Sequence, residues 1–201
     1  MINIHRIINY PVPSNCYVIS HSSLKSCIVI DPGTENNVAL LEYLDVNQLN
    51  IKEVILTHEH YDHIAGVNDL SIKKSFNLIC SKSAAWGIGN SKANFSYYVD
   101  GYETYEIKRE VSIIGDRETI SFGDCEIIIY ETPGHSPGSI CFNIDQNLFT
   151  GDTLLNGTKV PLNLPGSNKA NYRTSIEKLK KTFRSEIMIY PGHGEPYFCK
   201  L

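Results

Sequence analysis

Apolar positions along this chain fall into short runs, and most of the runs end in turn residues. "NCYVIS" (15–20) and "SCIVID" (26–31) predict a pair of strands. "PGTENNVALLEYLDV" opens with a turn and then places Val38, Leu41 and Leu44 at the interval of one helical face. "KEVILT" (52–57) and "NLICS" (77–81) predict short buried strands, with a helix expected over "KSAAWGIG" (82–89). The middle is β-rich. "EVSIIGDRETISFGDCEIIIYETPGH" holds three strand-like runs, separated by turns at Gly115 and Asp116 and at Gly123 and Asp124. "SICFNI" and "NLFTGD" follow as a hairpin, and "NKANYRTSIEKLKKTF" spaces Tyr172, Ile176, Leu179 and Phe183 as an amphipathic surface helix does. "EIMIYPGHGEP" closes as a buried strand and loop. Strands interleaved with such helices predict sheets covered by outer helices.

Composition narrows the class. The 201 residues suffice for one core, so a single domain over 1–201 is expected. A hydrophobic share of 42% with 20% charged residues is that of an ordinary globular protein. No apolar run approaches the roughly 18 residues of a membrane span. The first residues, "MINIHRIINYPVPSNCYVIS", lack the basic, apolar, small-residue order of a signal peptide. A cytoplasmic protein is expected, with no membrane partner. A net charge of −4 without a basic block argues against a nucleic-acid surface, which needs clustered Lys and Arg. A small molecule is the expected partner. Six cysteines without a C-x-x-C pair read as free, mostly buried thiols.

Chemistry is concentrated where strands stop. "CIVID" ends at Asp31, "VILTHEHYDH" in His58, His60, Asp62 and His63, "IIIYETPGH" at His135, "NLFTGD" at Asp152 and "IMIYPGH" at His193. Loops at the ends of buried strands are where a rigid scaffold presents functional groups. Five of the seven histidines lie in these loops; His5 and His21 read as ordinary side chains. Neutral imidazoles and carboxylates suit Zn, Mn and Fe(II). In an extended segment positions i and i+2 face the same way, so His58 and His60 can share one ion. Asp62 and His63, at the start of a helix, can face a second. His135 would complete the first group and His193 the second, with the Asp152 carboxylate as a bridge.

These motifs resemble those of the metallo-β-lactamase superfamily of metallohydrolases. "THEHYDH" is similar to its H-x-H-x-D-H, and "TPGHSPGS", "FTGDTL", "YPGHGEP" and "VIDPG" match its other motifs. The resemblance covers nearly the whole chain. It implies an α/β fold, a four-layer αββα sandwich, with a binuclear site at one edge of the two sheets. It implies two divalent ions, Zn foremost, with Fe or Mn as alternatives. His58, His60, His135 and Asp152 would hold one ion. Asp62, His63, Asp152 and His193 would hold the other, and Asp31 would steady the site through hydrogen bonds. Hydroxide held between the ions would hydrolyse an ester, thioester, amide or phosphoester, with Asp62 both a ligand and the group that orients the hydroxide.

Within the superfamily the wording is most similar to the glyoxalase II group, thioester hydrolases that act on acylglutathiones. Common zinc β-lactamases carry Cys at the position of Asp152, and the superfamily's nucleases add an inserted domain or RNA-binding arm. The short relatives of glyoxalase II often read G-R-x-D-L-P-G after the Asp motif. Here "VPLNLPG" places Pro161 and Asn163 at the Arg and Asp positions, and Lys159 becomes the nearby candidate anion contact. Persulfide dioxygenases share these motifs while using a single iron on ligands of the His58, His135 and Asp152 type, which makes a mononuclear iron oxidoreductase the alternative. The aromatic segment 94–108, with Phe95, Tyr97, Tyr98, Tyr102 and Tyr105, is a candidate pocket lining or packing element.

Overall fold

The computed structural model describes residues 1–99 and 104–201. Twelve strands among them form two six-stranded sheets. The first sheet runs in chain order: β1 (Ile2–Ile8), β2 (Asn15–His21), β3 (Ser26–Ile30), β4 (Asn50–Ile55), β5 (Asn77–Cys80) and β6 (Ser112–Ile113). The second also follows chain order, from β7 (Thr119–Phe122), β8 (Cys125–Glu131), β9 (Ile140–Ile144) and β10 (Asn147–Gly151) to β11 (Ile187–Pro191) and β12 (Tyr197–Cys199). The helices are α1 (Val38–Val46), α2 (Tyr61–Ile64), α3 (Val67–Lys73), α4 (Lys82–Ile88) and α5 (Lys169–Thr182).

Alternation along the strands explains the layers. In β2 and β3, Cys16, Val18, Cys27 and Val29 join Leu40 and Leu44 of α1, Leu70 of α3 and Ala84 and Ile88 of α4 in one core. The intervening Tyr17, Ile19, Ile28 and Ile30 face the other way, into a core shared with Phe122, Ile129, Phe142 and Phe149 of the second sheet. Cys141, Leu148, Ile187 and Ile189 then point outward beneath Leu179 of α5. Both faces of each sheet are covered, so its strands read as continuous apolar runs rather than as alternations. Each fully buried Ile or Phe contributes roughly 1.5–3 kcal/mol, and the inter-sheet core is built almost entirely of them. The αββα sandwich implied by the motifs is the observed architecture.

One local expectation is corrected, and two elements appear that the apolar pattern does not predict. The segment 2–8 is a strand, antiparallel to β2, although as an edge strand its side chains are only partly buried and its pattern is blurred. The run "EVSII" supplies only the two residues of β6, which pair in parallel with β5 in the first sheet. The Gly115 and Asp116 turn is therefore a crossover between the two sheets. Helix α3 was not legible as a helix, because its seven residues bury only Val67 and Leu70.

Topology puts the motif loops together. Strands β3 and β4 are parallel, as are β10 and β11, and β8 runs with β10 because both are antiparallel to β9. The carboxyl ends of β3, β4, β8, β10 and β11 thus present their loops at one edge of the sandwich.

Candidate metal centre

The centre begins where β4 stops. Leu56 still donates its N–H to Ile79 of β5, at 2.9 Å, but the Thr57 N–H turns to the Asp31 carboxylate, at 2.8 Å from Oδ1. The Thr57 hydroxyl donates to Asp31 Oδ2 at 2.6 Å. Its carbonyl accepts from Ile140 of the second sheet at 2.8 Å, which ties the two sheets at this edge. The strand expected over 52–57 ends early because a buried carboxylate captures its ladder donor. Asp31 itself adopts a left-handed φ of 48° just past β3.

Two trios of side chains meet in the cleft. His58, His60 and His135 offer ligand atoms within 4.8 Å of one another, and all three are buried. Asp62, His63 and His193 form the second trio under the same limit. Asp62 Oδ2 lies 3.4 Å from His63 Nε2 and 3.2 Å from His193 Nε2. Between the trios stands Asp152. Its Oδ2 is 3.5 Å from both His135 Nε2 and His193 Nε2, and its Oδ1 is 3.7 Å from His63 Nε2. One carboxylate therefore faces donors of both groups.

Outer hydrogen bonds aim the rings. His63 Nδ1 donates to Asp31 Oδ2 at 2.9 Å, His135 Nδ1 to the Pro161 carbonyl at 3.1 Å and His193 Nδ1 to the Pro13 carbonyl at 3.1 Å. The Thr57 hydroxyl, already donating to Asp31, accepts from His58 Nδ1 at 3.0 Å. Each of these four rings thus turns Nε2 inward. His60 instead presents Nδ1, 3.0 Å from His135 Nε2. Orienting partners of this kind fix the tautomer of ligating histidines. The loops are clamped as well. Ser136 Oγ donates to the buried Glu59 carboxylate at 2.9 Å, which joins the His135 loop to the His58 and His60 loop. Asn15 Nδ2 donates to the carbonyls of Pro191 and Gly194 at 2.9 and 2.8 Å, holding the His193 loop from the first sheet. Gly192 has no room for a side chain, since a Cβ there would lie 2.2 Å from Asp152 Oδ1.

The two trios differ in charge. Burial, reinforced by the neighbouring histidines His63 and His60, holds His58 well below the ordinary range. Burial and then His135 bring His60 to about 3, and burial also lowers His135. Burial disfavours charge on His63 too, but Asp62, Asp31 and Asp152 outweigh it and lift the ring to about 10. His193 is raised against its own burial by Asp62 and Asp152. Asp62 is held low by His63 and His193 in spite of burial.

The donor set fits divalent ions. His58 Nε2 and Asp152 Oδ1 are buried and find no hydrogen-bond partner among the described residues. An unpartnered buried polar atom costs about 1–3 kcal/mol, and both atoms point among the other candidate donors. Neutral imidazole with carboxylate oxygen is the ligand chemistry of Zn, Fe and Mn.

Every motif residue named from the sequence lies at this edge except Lys159, which is exposed on the loop after β10, two positions before the Pro161 carbonyl that holds His135. Thr57, Glu59, Ser136 and Gly192 were not singled out from the sequence. Their only signal was adjacency to a motif histidine or aspartate. In the aromatic segment the Phe95 ring lies 4.6 Å from that of His60, whereas the Tyr105 hydroxyl accepts from the Asn68 N–H at 2.9 Å in the packing beside α3. Tyr97 and Tyr98 are exposed, and Tyr102 lies outside the described residues.

Known proteins are similar to this chain in sequence and in fold. The chain is 30% identical over 179 residues to the probable polyketide biosynthesis zinc-dependent hydrolase PksB of Bacillus subtilis, covering 89% of this chain and 72% of that one. It is 27% identical to the probable metallo-hydrolase YqgX of the same organism, covering 92% and 86%. Among solved structures, BLEG-1 B3 metallo-beta-lactamase superposes with a TM-score of 0.89 at 24% identity, over 98% of this chain and 94% of that one. ETHE1 from Myxococcus xanthus superposes at 0.77 and 22%, over 98% and 79%. At these identities the structures speak for the fold. The family model of the metallo-beta-lactamase superfamily matches residues 9–193, a stretch that holds all the strand-end loops of the cleft. On sequence and on fold, the chain belongs to the metallo-beta-lactamase superfamily.

Proposed function

We propose that this protein is a binuclear metal-dependent hydrolase of thioesters or esters, similar to glyoxalase II, acting on a small molecule in the cytoplasm. The carrying observation is the position of Asp152, whose two carboxylate oxygens face donors of both trios. PksB and YqgX, named as a probable zinc-dependent hydrolase and a probable metallo-hydrolase, support metal-assisted hydrolysis. Bound divalent ions would supply hydroxide near neutral pH and polarise the scissile carbonyl. His58, His60, His135 and Asp152 would hold one ion, and Asp62, His63, Asp152 and His193 the other.

The chain's own groups divide the remaining work. The Asp62 side chain is 21% exposed against 8% for Asp152, so Asp62 is the carboxylate that meets the open cleft. It accepts a hydrogen bond from the attacking water and orients it. Asp31 keeps His63 aimed. The Phe95 ring covers one face of His60 and limits water there. Lys159, exposed on the loop that carries the Pro161 carbonyl behind His135, is the candidate cation for a negatively charged part of the substrate. Replacing it, Lys159→Ala, is expected to raise KM for anionic thioesters several-fold and leave kcat nearly unchanged, a loss of about 1 kcal/mol of uniform binding. An unchanged KM removes Lys159 from the site.

The test of the reading is elemental analysis of protein purified without chelators, followed by a thioester and ester screen. Two Zn, Fe or Mn per chain together with thioester cleavage are expected. One iron per chain, with oxygen uptake on a persulfide and no thioesterase activity, would replace this reading with the mononuclear dioxygenase.

A further inference from the structure

We propose that the substrate carries an apolar or aromatic acyl group, received on a shelf that Phe95 and Tyr98 form beside His60. The proposal rests on the hydrolase reading and names the substrate class within it.

Phe95 is held where a bulky side chain is costly. Its φ of 69° and ψ of 0° are left-handed, a conformation that strains any residue with a Cβ and is rare for large ones. Such strain persists only where the surroundings over-determine it, and it clusters at ligand sites. Both neighbours supply that constraint. Asn94 is fully buried; its Nδ2 donates to the Tyr105 carbonyl at 2.8 Å and its Oδ1 accepts from the Ser96 N–H at 2.9 Å. Ser96 is buried too, and its Oγ accepts from the Tyr105 N–H at 2.9 Å and donates to the Tyr105 carbonyl at 3.1 Å. The Asn94 carbonyl accepts from the N–H of Tyr61, the residue after His60, at 2.8 Å, which fixes the loop against the metal centre. Two buried, polar-anchored residues thus flank one apolar ring that is left half-buried.

That ring stands with its centroid 4.6 Å from that of His60, tilted by 38°, and His60 Nδ1 faces His135 in the cleft. The Tyr98 ring follows 6.4 Å from Phe95 and is 62% exposed. A group attached to a carbonyl that reacts beside His60 and His135 reaches the Phe95 ring within a few bonds. Neither shelf ring carries a charge, so selection is by apolar burial and ring stacking.

The test compares acetyl and benzoyl thioesters of N-acetylcysteamine, a neutral thiol that keeps Lys159 out of the comparison. Calorimetry on metal-loaded protein compares acetate with benzoate, a readout that needs no turnover. The benzoyl compound is expected to be favoured at least about tenfold in kcat/KM, and benzoate at least about tenfold in affinity. Phe95→Ala is expected to bring both ratios to within about threefold, and Phe95→Leu, which keeps apolar surface, to retain most of the preference. If Phe95→Ala fails to fold, Tyr98→Ala, at an exposed position, decides; it is expected to lower both ratios about threefold. Cleavage of thioesters without a benzoyl preference, or with one that these variants leave intact, overturns the shelf and spares the hydrolase reading. A benzoate preference that depends on Phe95, without cleavage of any thioester or ester, supports the shelf and overturns the hydrolase reading.

Discussion

Asp152→Ala is expected to lower thioester hydrolysis about a thousandfold and to reduce bound metal from two ions per chain toward one. The side chain is the shared element of the cleft, with one oxygen facing His135 and His193 and the other facing His63. Its removal takes a negative charge from between the neutral rings of the first trio and the raised histidines of the second. Metal-based stabilisation of a transition state is worth several kcal/mol, and a loss of about 4 kcal/mol corresponds to three decades of rate. The second trio keeps only Asp62, His63 and His193, and its ion is the one expected to leave. Asp152→Asn keeps the shape and removes the charge, so it separates packing from electrostatics and is expected to lose nearly as much. Steady-state kinetics and elemental analysis read both effects. Near-normal activity with two ions bound would show that Asp152 bridges nothing.

Metal uptake at the two trios should differ sharply with pH. In the metal-free chain His58 and His60 are held neutral, His60 down to about 3, and His135 is lowered as well. His63 holds its proton up to about 10. An ion entering the first trio therefore displaces no ring proton near pH 7, while one entering the second must displace that of His63. One displaced proton makes apparent affinity fall about tenfold per pH unit, so between pH 8 and pH 6 the second ion should bind about 100-fold more weakly and the first much less so. Calorimetric titration in two buffers of different ionisation enthalpy counts the protons. Equal release at both steps would refute the assignment of charge.

The same shifts give the sign for stability of the metal-free chain. The folded pKa of His63 lies above its ordinary 6.5, so its contribution is complete below about 6.5 and fades as pH rises through about 10. The folded pKa values of His58 and His60 lie below 6.5, so their neutral burial costs stability as pH falls from 6.5 toward about 3. Thermal melting of metal-free protein is thus expected to be highest near neutrality and to decline on both sides.

Much of this was legible before any coordinates. A buried strand declares itself by a continuous apolar run, and β2, β3, β4, β5, β9 and β10 lie within two residues of the runs that predict them. The ligand candidates were legible because five histidines at strand ends have no packing explanation. Edge strands were not. The side chains of β1 are half-exposed and β6 spans two residues, so neither carries a full period of burial. Lys159 shows the limit for substrate contacts, since an exposed lysine has the same local sequence whether or not it meets a ligand.

By itself, the sequence determined which residues carry chemistry and that they sit at the ends of apolar strands. It did so because backbone periodicity and side-chain type are local properties. Only the tertiary structure decided that five such ends share one edge, because that follows from strand order and parallel pairing across residues 26–193. The fold also decided that His63 is charged and His58 neutral in the metal-free chain. Both rings are buried and five positions apart; beside His63 stand its neighbour Asp62 and, from distant strands, Asp31 and Asp152, whereas His58 is held neutral by its burial and by the surrounding rings of His63, His60 and His135.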